Sequence, residues 1–173
     1  MQASGKENLV LGLDPGSRCT GYGLVSERSG VLSLVDTGTI RPKQNMDLSR
    51  RLGYIFERIC EVIEAYRPMQ AAVEEVFVSA NTASALKLGQ ARGAALVACA
   101  RHGVAVHAYE PALIKKNLVG AGRAEKGQVA FMVGRILGVQ PKWPRDCSDA
   151  LAAAVCHLNQ QRFQASLART AAS

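Results

Sequence analysis

Three strand-like stretches stand near the head of the chain with only turn-forming residues between them, and this restricts the possible folds more than any other feature. In the first, Leu9, Leu11 and Leu13 alternate with Val10, Gly12 and Asp14, so one face is leucine and Asp14 lies on the other. Pro15-Gly16-Ser17 supplies turn chemistry. A second strand follows at Gly21-Tyr22-Gly23-Leu24-Val25, whose glycines leave room for something to approach the sheet closely. Ser29-Gly30 makes the next turn, and residues 31–40 read as a third strand. Consecutive strands joined this tightly form an antiparallel meander.

The pattern then changes. Asp47 is placed to cap a helix with apolar positions Leu48, Leu52, Ile55, Phe56, Ile59, Val62, Ile63 and Tyr66, which Pro68 ends. Ala71 to Phe77 reads as a short strand bounded by helices, hence parallel and central. Asn81 opens an alanine-rich helix ending near Gly103, able to pack against the sheet or a second subunit. Val104-Ala105-Val106 is a fifth strand, and Pro111 starts a short helix. Two helices remain, from about Ala124 to Leu137 and from about Asp146 to Phe163. The order βββ–α–β–α–β–α–α predicts an α/β, ribonuclease H-like layout. Its mixed five-stranded sheet has three antiparallel strands, then parallel ones, flanked by helices. At 173 residues the chain suits one well-cored domain. That domain spans residues 9–163, with a flexible extension at 1–8 and a disordered, small and polar tail at 164–173.

An aspartate within a strand is unusual, and burying its charge unpaired costs several kcal/mol. Asp14 therefore needs a cation. Strand–Asp–x–Gly–Ser/Thr also opens the phosphate loop of actin-like ATPases, but that fold needs two related domains and a second loop, for which 173 residues leave no room. Asp146 and Asp149 share one face at the start of the last helix, where acids also serve as ordinary caps and dipole partners. Glu74 interrupts an apolar strand, with Glu75 as its rival. If Asp14, Glu74, Asp146 and Asp149 converge, their repulsion raises their pKa values unless cations neutralise them. Oxygen-only ligands suit Mg²⁺ or Mn²⁺, and two such ions about 3.5–4 Å apart support phosphodiester hydrolysis.

The net charge of +7 favours an anionic partner. Its distribution is more telling: Lys115, Lys116, Arg123, Lys126 and Arg135 face one acid, Glu125, between residues 114 and 135, a patch of the kind that meets phosphates. The five cysteines form no CxxC pair, which fits packed, reduced thiols. The three histidines lack metal-ligand spacing and read as surface or structural residues. No apolar run approaches a membrane span, and the polar start lacks a secretory signal's apolar core, so a cytoplasmic protein is expected.

Several blocks together resemble the RuvC Holliday junction resolvases. They are residues 11–18 (LGLDPGSR) with Thr20-Gly21-Tyr22-Gly23, Glu74-Glu75-Val76-Phe77, residues 81–93 (NTASALKLGQARG), residues 119–126 (VGAGRAEK) and residues 146–152 (DCSDALA). The likeness runs from about Leu9 to His157 in the family's order. It implies a homodimeric, magnesium-dependent endonuclease that nicks two strands of like polarity in a four-way DNA junction during recombination and repair. It also implies a partnership with a branch-migration motor of the RuvA and RuvB type. Matched by motif, Asp14, Glu74, Asp146 and Asp149 take the metal-binding catalytic positions, which selects Glu74 over Glu75. Phe77 matches an aromatic that stacks on an unpaired base, although core packing would equally explain it. Lys115 and Lys126 match DNA-binding lysines, where a solvated basic surface is the plainer explanation. A non-catalytic DNA-architectural protein and a generic ribonuclease H-like nuclease are the competing readings.

Overall fold

The computed structural model describes residues 7–75, 82–120 and 122–171. Phe77, and Asn81 where the helix was expected to open, lie outside them.

The meander forms as expected. β1 (Asn8–Asp14), β2 (Thr20–Arg28) and β3 (Val31–Ile40) pair antiparallel. α1 (Leu48–Tyr66) begins at Asp47, whose carboxylate accepts from the Arg50 amide at 2.8 Å. It ends on Arg67 in the left-handed region, φ 52°, just before Pro68. β4 (Gln70–Glu74) then enters the sheet beside β1 and parallel to it. After α2 (Thr82–Arg101), β5 (Ala105–Tyr109) pairs parallel with β4, giving the order β3-β2-β1-β4-β5. The mixed five-stranded sheet expected from the element order is thus observed. α3 (Pro111–Val119) has proline in its first turn, and α4 (Lys126–Leu137) starts two residues later than expected. The Gln128 side chain accepts from the Glu125 amide at 2.9 Å and fixes that start.

The period-2 alternation of the strands divides the core in two. Leu11, Leu13 and Val73 pack with Ile55, Ile59 and Ile63 of α1 and Ala95 and Ala98 of α2. Val10 and Ala72 face the other way, onto α5 (Arg145–Ala171), which α3 and α4 cover with Ile114, Leu118, Val129 and Val133. α5 is therefore sandwiched, and residues 150–158 are buried on every side rather than along one stripe. Its seat is cut into the sheet by glycine. A Cβ at Gly12 would overlap the Ala150 carbonyl, and one at Gly21 the Asp146 carbonyl. The room that the sequence left above the sheet is filled by α5.

The C-terminal end differs from expectation. α5 continues to Ala171 where residues 164–173 were expected to be disordered. Alanine, leucine and arginine favour the helix there, and the Ser166 and Thr170 hydroxyls donate back to the Phe163 and Ser166 carbonyls. Residues 163–171 are exposed.

Candidate functional site

The sheet topology brings the acids to one edge. β1 and β4 run parallel and end together at Asp14 and Glu74. Antiparallel β2 begins at the same edge, with Gly21 opposite Asp14. Gly12 and Ala72 face α5, so two residues further along each strand Asp14 and Glu74 face the same side. Glu75 has left the strand, and its amide donates to the Tyr109 carbonyl at 2.8 Å. The first turns of α5 lie over this edge and carry Asp146 and Asp149, three residues apart.

The electrostatics show how close the acids are. Asp14 is pushed from 3.8 to about 7, first by burial, then by the charges of Asp149, Glu74 and Asp146. Glu74 is raised by burial and by Asp149, against the opposing pull of Lys126 and Lys115. The outer acids are drawn to donors of their own. Lys126 Nζ donates to Asp149 Oδ2 at 3.0 Å, a contact that raises the lysine's pKa. Asp146 Oδ2 accepts from Cys19 Sγ at 3.0 Å and Arg41 Nη2 at 3.4 Å. Among the described residues no three His, Cys, Asp or Glu side chains close into a ligand cage in this conformation. The donor set nonetheless fits a hard divalent cation: it is all oxygen, and Asp14 at about 7 marks negative charge that its neighbours do not neutralise.

Lys115 and Lys126 line one small hollow together with Glu74 and Asp149, so both predicted lysines reach the acids. Cys19 and Arg41 had not been expected there. The cysteine had been read as a packed thiol, yet it is half-buried and spends its S–H on Asp146, while the other four are buried. Register would have found both residues, because Thr20 pairs with Ile40 and their neighbours Cys19 and Arg41 share the acidic edge. The histidines carry no such role. His157 is 1% exposed and bonded to Tyr109 Oη at 2.6 Å and Gln70 Oε1 at 2.7 Å.

A ribonuclease H-like sheet with acids gathered where its central parallel strands end defines the class: a nuclease of that fold. The family model described as "Crossover junction endodeoxyribonuclease RuvC" matches residues 10–157, and the chain belongs to this RuvC family. It is 60% identical to the protein of that name from Solidesulfovibrio magneticus, covering 91% of this chain and 93% of the relative. Identity to the one from Nitratidesulfovibrio vulgaris is 59%, over 89% and 92%. Among solved structures, Thermus thermophilus RuvC in complex with a Holliday junction substrate superposes with TM-score 0.85 at 36% identity, covering 91% of this chain and 96% of that one. The yeast mitochondrial resolvase Ydc2, at 11% identity and TM-score 0.66, shares the fold alone. The expected fold, family and enzyme class are borne out.

Proposed function

We propose that the protein is a Holliday junction resolvase, a structure-selective endonuclease that nicks paired strands of a four-way DNA junction. Family membership supports the reaction. The observation on this chain that carries it is the convergence of Asp14, Glu74, Asp146 and Asp149 on one sheet edge, with Asp14 raised to about 7. A binding protein has no use for that repulsion, because it costs stability and adds nothing to affinity for DNA.

The four carboxylates would hold the divalent metal, Mg²⁺ as two ions per site or Mn²⁺ in its place. Bound there, it would activate water and stabilise the leaving oxygen of the phosphodiester. Lys126 holds the Asp149 carboxylate at 3.0 Å and pulls the pKa values of Asp14 and Glu74 down, against burial and their acidic neighbours. Lys115 adds positive charge beside Glu74, and both lysines attract phosphate. Phe77, three residues beyond Glu74 in the chain, would stack on a base freed at the junction, worth about 1–3 kcal/mol.

Two like nicks call for two sites, hence a homodimer. α2 supports this: Leu86 and Val97 are 70% and 59% exposed. Gly89 and Gly93 lie between them, and a Cβ added at either would meet nothing within 4 Å, leaving a surface on which a second helix could approach closely. The family likeness also suggests a branch-migration motor of the RuvA and RuvB type as partner, working in the cytoplasm. Replacing Asp14 by Asn tests the assignment. The variant should bind a junction as the wild type does and cut none of it; retained cutting would remove Asp14 from the site.

A further inference from the structure

The acids have cations on both sides along the strand-end edge, and Lys115 and Lys126 account for only one of them. On the β2 and β3 side, two cavities of about 480 and 740 Å³ share Arg18, Cys19 and Arg51 and so form one continuous cleft. It lies between the β1–β2 turn, the β3–α1 connection and the first turns of α1 and α2. Arg18, Arg41, Arg51 and Lys87 line it, against one carboxylate, Asp47. That acid is already engaged as the α1 cap, accepting from the Arg50 amide and the Ser49 hydroxyl at 2.8 Å each.

The four cations have different duties. Arg51 donates to the Met46 and Gln44 carbonyls at 2.9 Å each and so braces the wall of the cleft. Arg41 reaches the other way, to Asp146 at 3.4 Å, and joins the cleft to the acids. Arg18 and Lys87 are exposed, and no carboxylate pairs with either among the described residues. Arg41 follows the end of β3, two strand spacings from the end of β1. That is about 10 Å, so a backbone lying over the acids reaches the cleft within a few nucleotides.

We infer that this cleft is a second phosphodiester-binding site, in which Arg18 and Lys87 grip the DNA backbone a few nucleotides to one side of the scissile phosphate. The inference rests on the nuclease reading and adds to it the path of the bound strand. The backbone crosses the sheet edge from Lys115 and Lys126, over the acids, into the α1–α2 cleft. Arg41 becomes a positioning residue, since phosphate in the cleft competes with Asp146 for its guanidinium and frees that carboxylate to turn toward Asp14.

The test uses the full chain in the non-cutting Asp14→Asn form. Junctions carry a single neutral methylphosphonate at each position from five before to five after the nick. Binding should weaken for substitutions one to four positions away, on one side only. In a combined Arg18→Ala and Lys87→Ala variant, that sensitivity should vanish while sensitivity at the scissile phosphate remains. The slope of log affinity against log salt should fall by about two, one for each lost contact. A combined Arg18→Lys and Lys87→Arg variant should keep both slope and interference pattern. An unchanged slope and pattern in the alanine variant overturns the inference, as does a charge-conserving variant that behaves like it. If the parent protein binds junctions no better than linear duplex, the resolvase reading itself fails, and the path drawn from it fails too.

Discussion

Asp14→Asn should stabilise the metal-free protein while destroying its activity, and the gain should depend on pH. The carboxyl moves from an ordinary 3.8 to about 7 in the fold, so the folded state holds a proton that the unfolded chain has released. Stability contributed by this group therefore falls as pH rises from about 4, and the full penalty is reached above 7. A shift of roughly three units at about 1.4 kcal/mol each amounts to about 4 kcal/mol at pH 8, and to less than half of that at pH 5. Asparagine keeps the shape and removes the charge. For a domain of this size, about 2–4 °C per kcal/mol converts the pH 8 penalty into a rise in Tm of roughly 8–16 °C. Calorimetric melts of both proteins in EDTA at pH 5, 6, 7 and 8 would show the gain growing with pH and levelling off near 8. Mg²⁺ added at pH 8 should raise the wild-type Tm more than that of the variant. A gain equal at every pH would refute the reasoning, because it would then come from something other than the Asp14 charge.

Gly12→Ala would drive a Cβ into the Ala150 carbonyl, which cannot rotate aside. The expected cost is about 3 kcal/mol, read as a Tm lower by roughly 6–12 °C; an unchanged Tm would mean that α5 does not rest on β1 as described. Lys126→Ala removes the cation that lowers Asp14 and Glu74, so the acid limb of the cleavage–pH profile should move to higher pH. The salt slope of junction binding should fall by about one, and Lys126→Arg should restore it. His157 is lowered from 6.5 to about 4, first by burial and then by His107, so the fold loses stability as pH falls between those values. The loss is about 3 kcal/mol and is best measured in the Asp14→Asn background, where the largest opposing carboxylate trend is gone. Denaturant titrations that stay flat from pH 6.5 to 4 would contradict the burial of a neutral ring.

The sequence displayed the frame of the site and hid its trim, for physical reasons. Period-2 alternation put Asp14 opposite the leucines of β1, and short turns forced the meander, so the sheet and the acid's face could be read directly. The alternation around Glu74 left Glu75 open, because choosing between them requires the parallel register that seats β4 beside β1. The contacts of Cys19 and Arg41 with Asp146 were hidden for a similar reason, since they join residues 127 and 105 positions apart. The glycines of β1 and β2 announced a close approach without naming its partner. α5 answers with a middle buried on every side, and a single-stripe pattern could not show that. Its last turns were misjudged because a polar, exposed segment reads as a tail, although its alanines and leucine are good helix formers.

As a resolvase, the protein would use the acids gathered on this edge to hold divalent metal and cut branched DNA. The most direct test is cleavage of a labelled synthetic four-way junction beside a linear duplex of the same sequence, each with Mg²⁺ and with EDTA. The expected result is paired nicks of like polarity in the junction with Mg²⁺, little cutting of the duplex, and none of either in EDTA. Equal cutting of junction and duplex, or cutting that persists in EDTA, would contradict it.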